Sequence, residues 1–336
     1  MKILGIETSC DETAAAVVED GVRILSNVVV SQIDIFAEYG GVIPEVAARS
    51  HLEAMMPVVN KALVDAGCTW DDIDAIAVTH APGLLGSLLI GTLTARTLAI
   101  LHDKPLYAVH HLKSHVYANW LSNAEETKPV FSSAGLEFSS TSYAGSRAEP
   151  PLRGEPVRPG RNIGVENSNQ NFMLQKRQVL VSQTPQFPLI ALVISGGHTQ
   201  ILYMPAHNQF EIIGTTRDDA VGECFDKVAK ILGLPYPGGP AIAKAALEGD
   251  AEKYKLPHPK IEGLDFSFSG LKTAVLRAVQ KELGLPISHP SHDLKNHLSK
   301  KQVADFAASF QKTAVEILCE KLALALEQHP DVQSVV

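Results

Sequence analysis

One pattern occurs twice in this chain and limits its fold more than any other feature. An apolar strand, a turn of small polar residues, a threonine and a second apolar strand run from Ile3 to Val18, and the same succession runs from Ile190 to Met204. The first turn is Thr8-Ser9-Cys10-Asp11-Glu12 and the second is Ser195-Gly196-Gly197-His198. Short apolar runs broken by small hydrogen-bonding residues read as strands of a meander. Two such openings, with a similar order of elements after each, predict an internally duplicated α/β protein.

The remaining elements fit around these openings. Gly21 turns the chain into a third strand over Val22–Val30. After Gly40-Gly41 comes a helix with Pro44 near its first turn, which carries Ala47, Met55, Val58 and Leu63 towards Gly67, and Pro57 is expected to kink it or split it in two. Ala75–Thr79 reads as a strand, Ala81-Pro82-Gly83 as a loop, Leu84–His102 as a helix and Pro105–Val109 as a buried strand. Together these make a βαβ unit, which implies parallel pairing. A helix over Leu112–Leu121 follows. Residues 122–187 are rich in Ser, Pro, Gly, Arg, Asn and Glu and have little periodicity, so they read as a disordered or mobile insertion between segments 1–121 and 188–336. Beyond it, a helix is expected from Asp218 to Leu232, with Val221, Cys224, Phe225, Val228, Ala229 and Leu232 in an apolar stripe. The stretch Phe266–Thr273 leads into another helix, which ends near Leu283 with Gly284 just beyond it, and a last one spans about Val303–Gln328. Val332–Val336 then begins a strand. By symmetry with the first half, a glycine loop, a helix and a strand would follow it, so the sequence reads as truncated at its C-terminus.

Composition narrows the setting. No apolar run reaches the length of a membrane span, and Met1–Gly5 enters the first strand, Ile3–Glu7, at once, which is expected to leave no room for a signal or transit peptide. Cys10, Cys68, Cys224 and Cys319 are isolated, as free thiols in a reducing cytoplasm would be. A formal net charge of −8 argues against broad nonspecific binding to nucleic acid, so any RNA contact needs a local basic patch or a partner.

Several residues have the chemistry of a site. On a helix, His111 and His115 are i and i+4, so both imidazoles project from one face and can share a divalent metal ion. A third ligand is then required. A metallopeptidase would need a glutamate beside the first histidine, but Leu112 and Lys113 follow His111. Ser195, Gly196 and Gly197 offer backbone N–H groups that a phosphate could approach without a Cβ in the way, though an ordinary hairpin turn has the same look. Asp11 is either a turn residue or a proton acceptor. Asp226 stands four residues before Lys230, as in a common helix-surface pair. Gly239 lies in a Pro-Gly loop, and Lys272 is either a phosphate contact or a solvated lysine.

Taken in order, Glu7–Thr13, Ala81-Pro82-Gly83, His110–His115, Ser195–Thr199, Asp218–Glu223 with Phe225-Asp226-Lys227, Tyr236–Gly239 and Phe268–Thr273 resemble the motifs of the TsaD (Gcp-type) tRNA threonylcarbamoyladenosine transferases in their bacterial form. The resemblance implies an actin-like ATPase fold, with two ribonuclease-H-like lobes around a nucleotide cleft. It implies transfer of threonylcarbamoyl from threonylcarbamoyl-adenylate to the exocyclic amine of the adenosine 3′ to the anticodon, in tRNAs reading codons that start with A. Asp11 would act on the attacking amine. Val193, Ile194, Ser195, Gly196, Gly197, Asp226 and Gly239 would hold the adenylate, and His111 and His115 one divalent ion, iron or zinc. An Asp and an Asn that complete the family's site follow a glycine-rich loop beyond the end of this sequence. Implied partners are tRNA, a TsaB-like paralogue and a TsaE-like ATPase, in the cytoplasm and away from membranes. The alternatives are a truncated non-catalytic scaffold or partner-binding member of the actin-like superfamily, and a sugar-kinase-like ATPase, which would typically use no paired histidines.

Overall fold

The computed structural model describes residues 1–39, 41–123 and 184–336. Nearly all of the predicted insertion therefore lies outside the described residues. Two sheets form the frame. The first contains β1 (Lys2–Glu7), β2 (Glu12–Glu19), β3 (Arg23–Ser31), β4 (Ala75–Ala81), β5 (Leu106–His110) and the short β6 (Ser122–Asn123), in the order β5-β4-β1-β2-β3-β6. The second contains β7 (Leu189–Ile194), β8 (Thr199–Ala206), β9 (Gln209–Thr215) and β10 (Ser334–Val335), in the order β10-β7-β8-β9. In the first sheet β2 is antiparallel to β1 and β3, and β4 is parallel to β1. In the second, β8 is antiparallel to β7 and β9, and β10 is parallel to β7. The duplication read in the sequence is thus present as topology, with β10 in the place that β4 holds in the first sheet.

The helices are α1 (Ile33–Tyr39), α2 (Pro44–Asp65), α3 (Leu85–Leu101), α4 (His111–Tyr117), α5 (Val221–Leu232), α6 (Gly238–Ala246), α7 (Ser269–Glu282) and α8 (Lys300–Gln328). One core joins Leu4, Ile6 and Val17 of the first sheet to Met55, Val58 and Val59 of α2 and Leu98 of α3. Another joins Ile190 and Ile201 to Val228, Val275, Phe306 and Phe310 on the helices of the second half. A third is small and positions the site: Leu112 and Val116 of α4 pack against Leu189, Ala191 and Val193 of β7. This pair has the i,i+4 spacing of His111 and His115, one residue on, so burying it against the second sheet fixes where the histidines point.

The expected break at Pro57 does not occur, because α2 is one continuous helix. An internal proline costs about 3 kcal/mol, and burial of Met55, Val58, Val59, Ala62 and Leu63 along the same helix outweighs it. The strand expected to be buried, Pro105–Val109, is β5 at a sheet edge, with Leu106 and Tyr107 exposed. An apolar run does not reveal whether a strand has neighbours on both sides. The helix expected over Leu112–Leu121 is α4 followed by a 3₁₀ turn at Ala118–Trp120. The helix expected from Asp218 begins at Val221. Asp218 instead accepts hydrogen bonds from the N–H groups of Phe268 and Ser269 at 2.8 and 3.2 Å, and so caps α7.

The first turn is held from three sides. Leu84 N–H donates to Ser9 O at 2.7 Å, Thr8 Oγ1 donates to Ser87 O at 2.8 Å, and Ser87 Oγ donates to Cys10 O at 3.2 Å. His51, fully buried on α2, gives its Nε2–H to Cys10 O at 2.9 Å and takes the Thr13 hydroxyl on Nδ1 at 2.8 Å. Burial lowers the pKa of His51, which keeps the ring neutral with both nitrogens used. His51→Ala would strand the Thr13 hydroxyl, remove one of two donors to Cys10 O and open a cavity. It is expected to destabilise the fold by about 3 kcal/mol, read as a lower midpoint in urea.

Candidate functional site

The two imidazoles of α4 converge. His111 Nε2 and His115 Nε2 are 3.0 Å apart, with ring planes 84° to each other. At that separation two nitrogens share either one proton or one cation. The tautomer of His111 is set from behind: its Nδ1 lies 3.2 Å from Ser9 Oγ and 3.3 Å from Glu7 Oε2. Burial pushes the Glu7 carboxyl up, but hydrogen bonds from His111, Ser9 and Thr79 outweigh it and hold the pKa at about 2. Glu7 is therefore an anion that accepts from Nδ1–H, which leaves the Nε2 lone pair aimed at His115. A carboxylate behind a ligating histidine is the usual support of a metal site. The His115 pKa is lowered, by burial first and by His111 second, which favours the neutral ring a metal requires. Tetrahedral zinc with bonds near 2.0–2.1 Å places its donors about 3.3 Å apart, so the pair fits two positions of such an ion and leaves the others open.

The second turn reaches the same place. The His198 ring lies 6.1 Å from that of His111, and burial lowers its pKa as well. Within that turn, Ser195 N–H donates to His198 O at 2.8 Å, and Ser195 Oγ accepts from the N–H groups of Gly197 and His198 at 3.3 and 3.0 Å. Gly196 N–H has no acceptor among the described residues, and a Cβ at Gly196 or Gly197 would meet nothing within 4 Å. Val193 and Ile194 share with His115 the wall of a cavity of about 190 Å³.

Asp226 accepts from Gly238 N–H at 2.7 Å through Oδ1. Its pKa is raised by burial first and then by the charges of Glu223 and Asp11. The Tyr236 hydroxyl is pushed up to about 12 by burial, then by Asp11 and Asp226. Asp11 from the first turn and Asp226 and Tyr236 from the second half thus share one electrostatic environment. Gly239 has open space at its Cβ, whereas a Cβ on Gly238 would lie 2.6 Å from the backbone of Asp226. Lys272 is 3.6 Å from Asp219, which also pairs with Lys227 at 2.6 Å, so it is an ion-paired lysine.

Sequence reasoning singled out His111, His115, Asp11, Asp226 and the glycine turn; of these, the two histidines meet directly, His198 at the end of the glycine turn lies beside His111, and Asp11 is tied to Asp226 through its charge alone. It missed Glu7, His198 and Tyr236 as members of the cluster, although each stands in or beside a motif it had recognised.

The frame and the site define a class: an internally duplicated α/β protein, with a meander turn from each half lying beside His111. Comparison with known proteins gives the family. The profile of TsaD, tRNA N6-adenosine threonylcarbamoyltransferase, matches residues 23–135 and 170–336. The chain is 44% identical to the tRNA N6-adenosine threonylcarbamoyltransferase of Symbiobacterium thermophilum over 326 residues, 97% of this chain and 74% of that protein. It is 42% identical to that of Thermomicrobium roseum over 336 residues, 98% of this chain and 78% of that protein. Among solved structures, YeaZ from Pseudomonas aeruginosa matches 33% of this chain and 45% of its own, at 22% identity and a TM-score of 0.25. The chain belongs to the tRNA N6-adenosine threonylcarbamoyltransferase family, acyltransferases that modify tRNA.

Proposed function

We propose that threonylcarbamoyl-adenylate lies between the two turns, in a nucleotide cleft between two lobes, and that its acyl group passes to N6 of the adenosine 3′ to the anticodon in tRNAs reading codons that start with A. What supports this is the contact made by both turns with one side chain: Ser9 Oγ at 3.2 Å from His111 Nδ1, and the His198 ring at 6.1 Å from that of His111. The N6 lone pair attacks the carbamoyl carbon, the new C–N bond forms, and the C–O bond to the phosphate breaks to release AMP. Asp11 takes the N6 proton. Gly196 N–H and the open flank of the Ser195–Gly197 turn receive the phosphate. Asp226, with Oδ1 engaged by Gly238, offers Oδ2 to a ribose hydroxyl, and Gly239 lets the nucleoside approach the backbone. Val193 and Ile194 line the threonylcarbamoyl side. His111 and His115 would hold iron or zinc, which when bound supplies a Lewis acid for the carbonyl or phosphate oxygens. A TsaE-like ATPase and a TsaB-like paralogue are the proposed partners in the cytoplasm. The paralogue would cover the apolar stripe of α3, where Leu85 and Ile100 are 84% and 74% exposed, and Leu52 and Met56 on α2, which packs against α3, are exposed as well.

The test is transfer from purified threonylcarbamoyl-adenylate to unmodified tRNA, with the partners present and the modified nucleoside quantified by mass spectrometry. Tight-binding metal at the pair is expected to be lost in His111→Ala/His115→Ala and weakened about 10–100-fold in Glu7→Gln. Unchanged metal content in the double variant would remove the site, and unmodified tRNA under every condition would remove the reaction.

A further inference from the structure

The connection between α7 and α8 gathers a second set of metal-capable side chains, at His289, Asp293 and His297. His289 Nε2 lies 3.1 Å and His297 Nε2 3.2 Å from the same oxygen, Asp293 Oδ2. All three donor atoms lie within 4.8 Å of one another. The ring centroids are 5.9 Å apart and the planes 75° to each other, so the imidazoles converge on the carboxylate from different directions.

The backbone holds them there. Gln280, only 2% exposed, donates its Nε2 to the carbonyls of Ile287 and His289, each at 3.1 Å. Arg277 donates to Ile287 O at 3.0 Å. Turns close from His289 N–H to Pro286 O at 2.9 Å and from Asp293 N–H to Pro290 O at 3.3 Å. A 3₁₀ turn over Leu294–Asn296 separates Asp293 from His297, and fully buried Leu294 anchors it in the core of the second half. Asn296 Nδ2 donates to Asp293 Oδ1 at 2.9 Å, which turns Oδ2 towards the imidazoles. Two residues past His297, the Ser299–Gln302 capping box starts α8.

We propose that His289, Asp293 and His297 form a second divalent transition-metal site, of the two-imidazole, one-carboxylate kind, which clips the α7–α8 connection. Two of its donor separations, 3.1 and 3.2 Å, are close to the roughly 3.3 Å edge of a tetrahedral zinc site. Imidazole and carboxylate together favour zinc over magnesium or calcium. The ligands are partly exposed, so water can take the fourth position. Asn296 is the outer partner that orients the carboxylate, as such sites require. Binding to the folded form alone would stabilise the fold by mass action.

The experiment uses the full chain carrying His111→Ala/His115→Ala, so its result does not depend on the proposed reaction or its metal. Zinc, the probe, is titrated at neutral pH and bound metal is counted after desalting. One equivalent is expected. Adding Asp293→Asn or His297→Ala should weaken zinc binding at least tenfold, whereas adding His292→Ala, an exposed neighbour outside the cluster, should leave it unchanged. Zinc should raise the unfolding midpoint of the starting protein and of the His292→Ala variant, but not of the Asp293→Asn variant. Equal zinc binding by all these proteins, or none by the starting protein, would overturn the site and leave a histidine–aspartate ion pair only.

Discussion

Asp11→Asn is expected to lower kcat for threonylcarbamoyl transfer by roughly 10²–10⁴-fold, the usual contribution of a general base. The exocyclic amine of adenine is conjugated with its ring and only weakly nucleophilic, so the proton it carries has to leave as the C–N bond forms. Asparagine keeps the shape of the side chain and removes its basicity. The bonds that tie the turn to the neighbouring chain, from Leu84, Thr8, Ser87 and His51, do not use the Asp11 carboxylate, and Asp11 O accepts from Gln32 N–H at 3.0 Å. The unfolding midpoint and the KM for tRNA should therefore stay close to those of the parent. The competing base is Asp226, whose pKa is raised, chiefly by burial. The two assignments separate cleanly. With Asp11 as base, Asp226→Asn chiefly raises KM for the adenylate, and Asp11→Asn removes the chemical step seen in a single turnover. A single-turnover rate within threefold of the parent in Asp11→Asn would reassign the role.

The sequence made the site legible wherever spacing alone carries geometry. The i,i+4 spacing of His111 and His115 required only that Leu112–Leu121 begin as a helix, and it does. The duplication was legible because the strand–turn–strand openings survive in both halves, and the strand orders agree with it. Glu7 and His198 were hidden for a different reason: each meets His111 across a long stretch of chain, and no local pattern encodes such a meeting. The contact from Glu7 spans 104 residues. The glycine pair in Tyr236-Pro237-Gly238-Gly239 shows a finer limit. Composition marks both glycines alike, and only the coordinates show that Gly238 meets the Asp226 backbone while Gly239 faces open space. The exposure of β5 and the continuity of α2 through Pro57 depend on neighbours that a one-dimensional apolar pattern does not contain.

Gly222→Ala and Gly196→Ala should behave in opposite ways. A Cβ on Gly222 would lie 2.6 Å from Ser195 O, 2.8 Å from Ser195 C and 2.9 Å from Gly196 Cα, all backbone atoms. No rotamer change relieves such a contact, so either the first turn of α5 or the Ser195–His198 turn must move. The Gly222 N–H also donates to Ser195 O at 3.3 Å, so the same shift strains the bond that ties the two together. The expected result is destabilisation of about 1–3 kcal/mol, together with a loss of roughly 10²-fold in kcat/KM, because ångström-scale misplacement of a binding turn carries that penalty. Gly196 is the reverse case. Its Cβ would meet no protein atom, so the alanine variant should match the parent in its unfolding midpoint. If a phosphate lies against this turn, however, the added methyl group intrudes on it, and KM for threonylcarbamoyl-adenylate should rise about tenfold or more with little change in kcat. Urea unfolding and steady-state kinetics on both variants read the two effects separately. A Gly196→Ala enzyme with parental KM would mean that the phosphate does not lie against this turn, whatever Gly222→Ala does to the fold.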